Sequence, residues 1–381
     1  TSGDTALGGA GQVEAGLMPL SAVKPENYDA LLAAKTEAVA ELLAPFAPPA
    51  PEVFASPPSA FRMRAEFRLW HRGDDLDYVM FRRGDPKTPV TIDSFPIGCA
   101  RIQMLMPSLL EELRGTPALR RKLFQVEFLS TLTGDSLVTL VYHRKLDDEW
   151  EQAARVIAER LGVSIVGRSR RQKIVLDRDW VEETLPIAGR SFHYRQYEQS
   201  FTQPNARVNI SMIEWACARA ESLSGDLLEL YCGNGNFTLP LAQHFDRVIA
   251  TEVSKTAIRA ARENLERNHI SNVAMIRLAA EEVTEALDGV REFRRLGELP
   301  RPLSEYRFDS LFVDPPRAGL DRHTVAMAAD FPAIIYVSCN PLTLAENLDT
   351  LCQTHRIAHF AMFDQFPYTD HMECGVFLLR N

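Results

Sequence analysis

From about residue 205 onward the chain alternates helix-like and strand-like segments with little interruption. This rhythm narrows the fold more than any other feature of the sequence. The helical stretch "NARVNISMIEWACARAESL" leads into the strand-like "DLLELY" and the loop "CGNGN". Helices are expected at 237–243, 254–268, 280–287, 320–329 and 341–353. The strands "RVIATEV", "AMIRLAA", "FDSLFV" and "AIIYVS" separate them, and "HFAMFD" and "CGVFLL" close the chain. Such alternation predicts a parallel, doubly wound α/β sheet with helices on both faces. Ligands of such sheets sit at the carboxyl ends of the strands.

The first half reads differently. "RAEFRLWHR", "YVMFRR", "FQVEFLST", "SLVTLVYH" and "QKIVLDR" alternate or run apolar as strands do, with helices at about 100–115 and 148–161. "GDD" (73–75) and "TGDS" (133–136) are turn signals, so this half is expected to be α+β with an antiparallel sheet. A helix is expected over 25–43, and the proline-rich 44–61 reads as an extended linker. The expected division is a disordered tail at 1–20, an α+β domain at 21–190 and the alternating domain at 191–381.

No apolar run approaches the ~18 residues a membrane span needs. The opening twenty residues carry no basic segment ahead of an apolar one, so no secretory signal is read there. Six cysteines at 99, 217, 232, 339, 352 and 374 form no C-x-x-C pair. That argues against a disulfide framework, a zinc site or an iron–sulfur cluster, and a reducing cytoplasm is expected. Net charge is −9, yet basic residues gather in the first half at 61–72, 114–122 and 167–173. Such clusters suit a phosphate backbone, the first with aromatics interleaved for stacking; each alone also fits a solvated strand or turn face.

"LLELYCGNGNFTL" (227–239) is strand, glycine-rich turn and helix, and Gly233 and Gly235 allow a ligand to approach the backbone. Glu252, about 20 residues on, is placed to accept hydrogen bonds from ribose hydroxyls. A dinucleotide loop would carry a third glycine where Thr238 stands. S-adenosylmethionine has no phosphates to cradle, so the loop reads better as that of a methyltransferase. "FVDPPRAGL" ends a strand in Asp314-Pro315-Pro316-Arg317. Amino-methylating enzymes place an aromatic after such a D/N-P-P loop; Arg317 argues against that target. "YVSCNP" then exposes Cys339 on a turn at a strand end, whereas the other cysteines read as packing.

Together "FTQPNARVN", "LLELYCGNGNFTL", "VDPPRAGL", "VSCNP" and "FDQFPYTDHMECGV" resemble the family of RNA 5-methyluridine methyltransferases, from about residue 25 to the end. "RMRAEFRLWH" and "KLFQVEFL" resemble its tRNA-modifying branch. The absence of clustered cysteines and of room for an extra N-terminal barrel departs from the ribosomal branch. The resemblance implies a Rossmann-like, class I S-adenosylmethionine-dependent methyltransferase domain behind an RNA-binding α+β domain. It implies methyl transfer from S-adenosylmethionine to C5 of the T-loop uridine, position 54 of tRNA. The tRNA-like loop of transfer-messenger RNA stands as a further substrate. A cytoplasmic monomer needing no metal is expected.

The resemblance also assigns roles. Cys339 is the nucleophile at uracil C6 and Glu373 the acceptor of the C5 proton. His371, two residues away on an extended segment, shares its face, so physics alone leaves either as base. Gln203, Tyr231, Asn236, Glu252 and Asp314 are implied at the cofactor, with Asp314 open to contact with the base instead. Glu66, Arg68 and Phe124 are expected to hold RNA, Phe124 by stacking. Two other readings remain: the same chemistry on ribosomal RNA, and a tRNA-folding activity beside catalysis. An NAD-dependent oxidoreductase fits the alternation but leaves "SCNP" and "HMECG" without a purpose.

Overall fold

Short apolar runs bounded by turn residues become strands throughout the chain. The computed structural model describes residues 23–381, and the expected disordered tail at 1–20 lies outside them. Two compact units result. The first holds Pro57–Thr184 and Arg195–Ala206; the second holds Asp29–Ser56, Leu185–Tyr194 and Arg207–Asn381. The expected single cut between 21–190 and 191–381 is therefore replaced by an interleaved division. The cause lies in the N-terminal helix, Tyr28–Leu43, whose Val39 and Leu43 join the core formed by Leu228, Leu311 and Ile334 of the second unit. The proline-rich stretch is not a plain linker either. It contributes β1 (Glu52–Phe54), an edge strand, where missing N–H donors are tolerated.

The first unit is built on a seven-stranded sheet of β2 (Arg64–Arg72), β3 (Asp75–Phe81), β4 (Pro89–Thr91), β5 (Leu123–Ser130), β6 (Ser136–Tyr142), β7 (Ser164–Ser169) and β8 (Gln172–Val175). Their order is β4-β3-β2-β5-β6-β7-β8. All neighbours are antiparallel except β6 and β7. That parallel step needs a crossover, which helix Asp148–Leu161 supplies. The Asp147 side chain caps the helix by accepting from the Trp150 N–H at 2.9 Å. Period-two burial sends Ala65, Phe67 and Leu69 of β2 into the core and leaves Arg64, Glu66 and Arg68 on the other face. Strands β9 (Trp180–Ile187) and β10 (Arg190–Tyr197) form a separate two-stranded sheet where the sequence reading assigned none.

The second unit carries the alternating pattern as expected. Its strands are β11 (Asp226–Leu230), β12 (Arg247–Thr251), β13 (Val273–Ile276), β14 (Phe308–Val313), β15 (Ala333–Ser338), β16 (His355–Phe363) and β17 (Glu373–Arg380). With β1 they form one sheet in the order β1-β16-β17-β15-β14-β11-β12-β13. Only β17 runs antiparallel to its neighbours. Every residue of β11 and β15 is buried, as strands covered on both faces require. Because β17 is reversed, its first residue, Glu373, lies at the same end of the sheet as the carboxyl ends of β11, β14 and β15.

Candidate active site

The register of two strands brings the nucleophile and base candidates together. Ser338 of β15 pairs with Cys374 of β17 as the last step of the register, and Cys339 and Glu373 come next to that pair, near enough for the Glu373 charge to act on the thiol. Asn340 then stops the strand and caps the following helix, Pro341–Leu351, by accepting from the Leu342 N–H at 3.2 Å. Its amide also donates to the Arg317 carbonyl at 3.1 Å, and the Thr343 hydroxyl donates to the same carbonyl at 2.8 Å. The "SCNP" turn is thus tied to the "DPPR" turn, and Cys339 stays partly exposed while Cys217, Cys232 and Cys374 are buried.

The site is rich in acid and poor in cations. Burial, with help from the Asp314 charge, holds Glu373 well above the usual carboxylate range; its Oε2 is buried without a hydrogen-bond partner. Burial pushes Asp314 up to about 7. Glu229 of β11 is pushed up to about 8 by burial, with Asp314 adding to the rise, and its Oε1 also lacks a partner. The Cys339 thiol is pushed up to about 12 by burial and by the Glu373 and Asp314 charges; Arg317 pulls the other way. The free site therefore opposes a thiolate, so the nucleophile needs a proton acceptor in step with its attack.

His371 and Glu373 are no longer equivalent. The Arg317 Nη1 lies 3.0 Å from His371 Nδ1, and burial and that guanidinium lower the His371 pKa. Beside an always-charged guanidinium donor, Nδ1 serves as acceptor and is already occupied. Glu373 keeps a free oxygen. In the sequence Arg317 stands out only as a departure from an aromatic; its position beside both groups emerges from two turns far apart in sequence.

The glycine-rich loop is fixed before any ligand arrives. Tyr231 turns the chain at φ 58°, a left-handed conformation rare for a residue with a side chain. Gly235 follows at φ 91°, and a Cβ there would lie 2.6 Å from Leu239. Above Gly233 a Cβ would meet nothing within 4 Å, which leaves space over the loop. Glu252 bridges that loop and the next, accepting from the Gly233 N–H at 3.2 Å and the Ser254 N–H at 2.8 Å. Asn236 exchanges reciprocal amide hydrogen bonds with Asn209 at 2.8 and 2.9 Å, which locks the loop. Space above glycines, an anchored acidic residue one strand over and the unpartnered Glu229 oxygen suit a nucleoside carrying a cationic, amino-acid-like tail. S-adenosylmethionine has that chemistry. Gln203, the fifth candidate, falls in the first unit, where its Oε1 is buried without a partner; Tyr231, Asn236, Glu252 and Asp314 all fall in the second.

In the first unit, Arg68 sets its guanidinium 3.9 Å from the Phe124 ring centroid. The Phe124 ring stacks on His143, with centroids 4.1 Å apart and planes 25° apart. His143 was missed because it lies at the end of a neighbouring strand. Glu66 does not join this stack; it pairs across the sheet with Glu127. Half of the basic cluster at 114–122 is paired with acids: Arg114 meets Asp75 at 3.3 Å and Asp77 at 3.1 Å, and Arg120 meets Asp74 at 3.4 Å.

The model of the tRNA (uracil-5-)-methyltransferase family matches residues 27–381. The chain belongs to this family. A tRNA/tmRNA (uracil-C(5))-methyltransferase of Aromatoleum aromaticum is 54% identical over 363 residues, covering 95% of this chain and 98% of that one. One of Klebsiella pneumoniae is 52% identical over 360 residues, covering 93% and 98%. The solved Pyrococcus abyssi tRNA (uracil-54, C5)-methyltransferase in complex with S-adenosyl-L-homocysteine superposes with a TM-score of 0.70 at 23% identity, over 93% of this chain and 84% of that one. This last likeness establishes the fold. Among the described residues no group of three or more His, Cys, Asp or Glu is placed to hold a metal, and no helix is long and apolar enough to cross a membrane.

Proposed function

We propose that this enzyme methylates C5 of the T-loop uridine, position 54 of tRNA, and of the matching loop of transfer-messenger RNA. The closeness of Cys339 to a Glu373 that retains an unpartnered oxygen carries the mechanistic part of this reading. The names and 52–54% identity of the relatives support the substrate.

Uracil C5 is a weak nucleophile, so the chain must create electron density there. Cys339 Sγ forms a bond to C6, and the C5=C6 electrons move toward the O4 carbonyl as an enolate. The thiol proton passes to a neighbouring carboxylate; Asp314, titrating at about 7, matches neutral pH best. S-adenosylmethionine, when bound, supplies an electrophilic methyl on a sulfonium whose positive charge favours ionised carboxylates beside it. C5 takes the methyl as the sulfonium–carbon bond breaks. Glu373 then takes the C5 proton, the C5=C6 bond re-forms and the Sγ–C6 bond breaks, freeing Cys339. Glu252 would hold the ribose, and Tyr231 and Asn236 shape the glycine-rich loop beside it. In the first unit Arg68, Phe124 and His143 present a stacked platform for an unstacked base, with Glu66 beside it.

The test uses unmodified tRNA transcript and methyl-labelled S-adenosylmethionine, with wild type against Cys339→Ala. Label on C5 of the T-loop uridine, lost in the variant, is expected. Label on ribosomal RNA alone would overturn the substrate. Label persisting in Cys339→Ala would overturn the nucleophile.

A further inference from the structure

The loop between β16 and β17 delivers Glu373, and a residue more than 300 positions earlier holds it. Lys35 lies midway along helix Tyr28–Leu43, and its side chain is 9% exposed. Its ammonium donates to the Asp364 carboxylate, to the Phe366 carbonyl at 3.1 Å and to the His371 carbonyl at 2.9 Å. An ammonium has three N–H donors, so all three are used, and all three acceptors lie on one loop. Asp364 is 1% exposed, which makes this a buried ion pair at the loop's first residue. The loop also has internal ties. The Thr369 hydroxyl donates to the Phe366 carbonyl at 2.7 Å and accepts from the His371 N–H at 3.2 Å, and Tyr368 adopts φ 65°.

We propose that Lys35 is a positioning residue for proton removal, holding the 364–371 loop so that Glu373 meets the C5 proton. The proposal rests on the reading of Glu373 as the base. His371 is anchored at its carbonyl by Lys35 and at its ring by Arg317, and Glu373 follows two residues on. An extended chain advances about 3.3 Å per residue with little slack, so a displaced His371 carbonyl displaces Glu373 as well. Without the ammonium, the Asp364 carboxylate loses its ion-pair partner and the His371 carbonyl loses this donor, while the Phe366 carbonyl keeps only Thr369, so the loop is released to shift. Misplacement of a reacting group by about 1 Å costs on the order of 10²-fold in rate. Cys339 hangs from β15 and the "DPPR" turn instead, so its addition to C6 survives the loss of Lys35.

That separation gives the test. Lys35→Met, Glu373→Gln and wild-type enzyme are each given transcript carrying uracil tritiated at C5, with S-adenosylmethionine. Tritium release, methyl incorporation and RNA–protein adduct stable to denaturation are followed together. For Lys35→Met the expected result is a fall of about 10²-fold in kcat. KM for both substrates stays unchanged and adduct accumulates, as it does in Glu373→Gln. A Lys35→Met enzyme with wild-type tritium release overturns the proposal. So does one in which kcat falls and no adduct builds up, the mark of a general structural defect. If Lys35→Met fails to fold, Lys35→Met/Asp364→Asn, which leaves no buried charge unpaired, is read by the same criteria. Wild-type tritium release from Glu373→Gln would overturn the base assignment itself, whereas a blocked Glu373→Gln beside an unaffected Lys35→Met would overturn only the role of Lys35.

Discussion

Each unit gathers carboxylates on one side of a sheet, and the two gatherings are handled in opposite ways. In the first unit, Glu66 and Glu127 face each other across β2 and β5, with Glu198 nearby. Arginines surround them. Arg168 makes a two-pronged pair with Glu198, and Arg64 donates to the carbonyls of Glu198 and Ser200 at 3.0 Å each. In the second unit, Asp314 and Glu373 crowd Cys339, Asp314 also acts on Glu229, and Arg317 is the cation that acts on both Glu373 and Cys339. The first arrangement balances its acids, because guanidinium groups remain charged even when burial lowers Arg62 and Arg64 to about 10. The second sets one guanidinium, Arg317, against several buried acids, and groups so poorly matched can exchange protons near neutral pH. One composition of charged residues thus gives a balanced cluster where cations match it and raised carboxyl pKa values where they do not.

The contrast breaks most sharply at Asp314. If its carboxylate takes the thiol proton, activity rises with pH as Asp314 ionises, through about 7. Asp314→Asn should lower kcat by roughly 10²–10⁴-fold and remove that rising limb from the pH–rate profile. A variant that keeps the limb would place the thiol proton elsewhere.

A smaller effect is expected at the first unit's stack. Arg68→Ala should raise KM for tRNA about 10-fold and leave kcat nearly unchanged, since a stacked cation or ring contributes on the order of 1–2 kcal/mol. Steady-state kinetics at fixed salt would show it. An equal loss in kcat would mean that the platform also orients the reacting base.

The smallest effect concerns stability. Burial, with the Glu66 and Glu198 charges, raises Glu127 to about 7. Its unfolded value is about 4.3. A group raised in the folded state contributes stability that is full below its unfolded pKa and is lost as pH rises through the folded one. Glu127→Gln should therefore remove up to about one proton's worth of slope between those values. Urea melts of wild type and variant at pH 5 and pH 8 would measure the difference; parallel changes in both would show that the arginines fully offset this carboxylate.

Much of this was legible in the residues, and what was not has a common cause. Helix Asp148–Leu161, strand Arg64–Arg72 and the order of strands after residue 205 all follow from local period and local caps. β1 was hidden because prolines mask a strand that needs hydrogen bonds on one edge only. β9 and β10 mix charged and apolar residues too evenly for their pattern to stand out. Lys35 sits on a helix whose local sequence says nothing of the 364–371 loop. Arg317 looked like an anomaly in a motif until its partner His371 was placed beside it.

The sequence by itself determined the alternating sheet, the glycine turn after β11 and the exposure of Cys339, because periodicity, φ preferences and proline act within a few residues. Only the tertiary structure decided that Glu373 lies near Cys339 with an oxygen free, that His371 is occupied by Arg317, and that Lys35 ties down the 364–371 loop. Register between distant strands and burial in a low-dielectric interior are properties of the packed chain, and both the pairing of these groups and their shifted protonation depend on them.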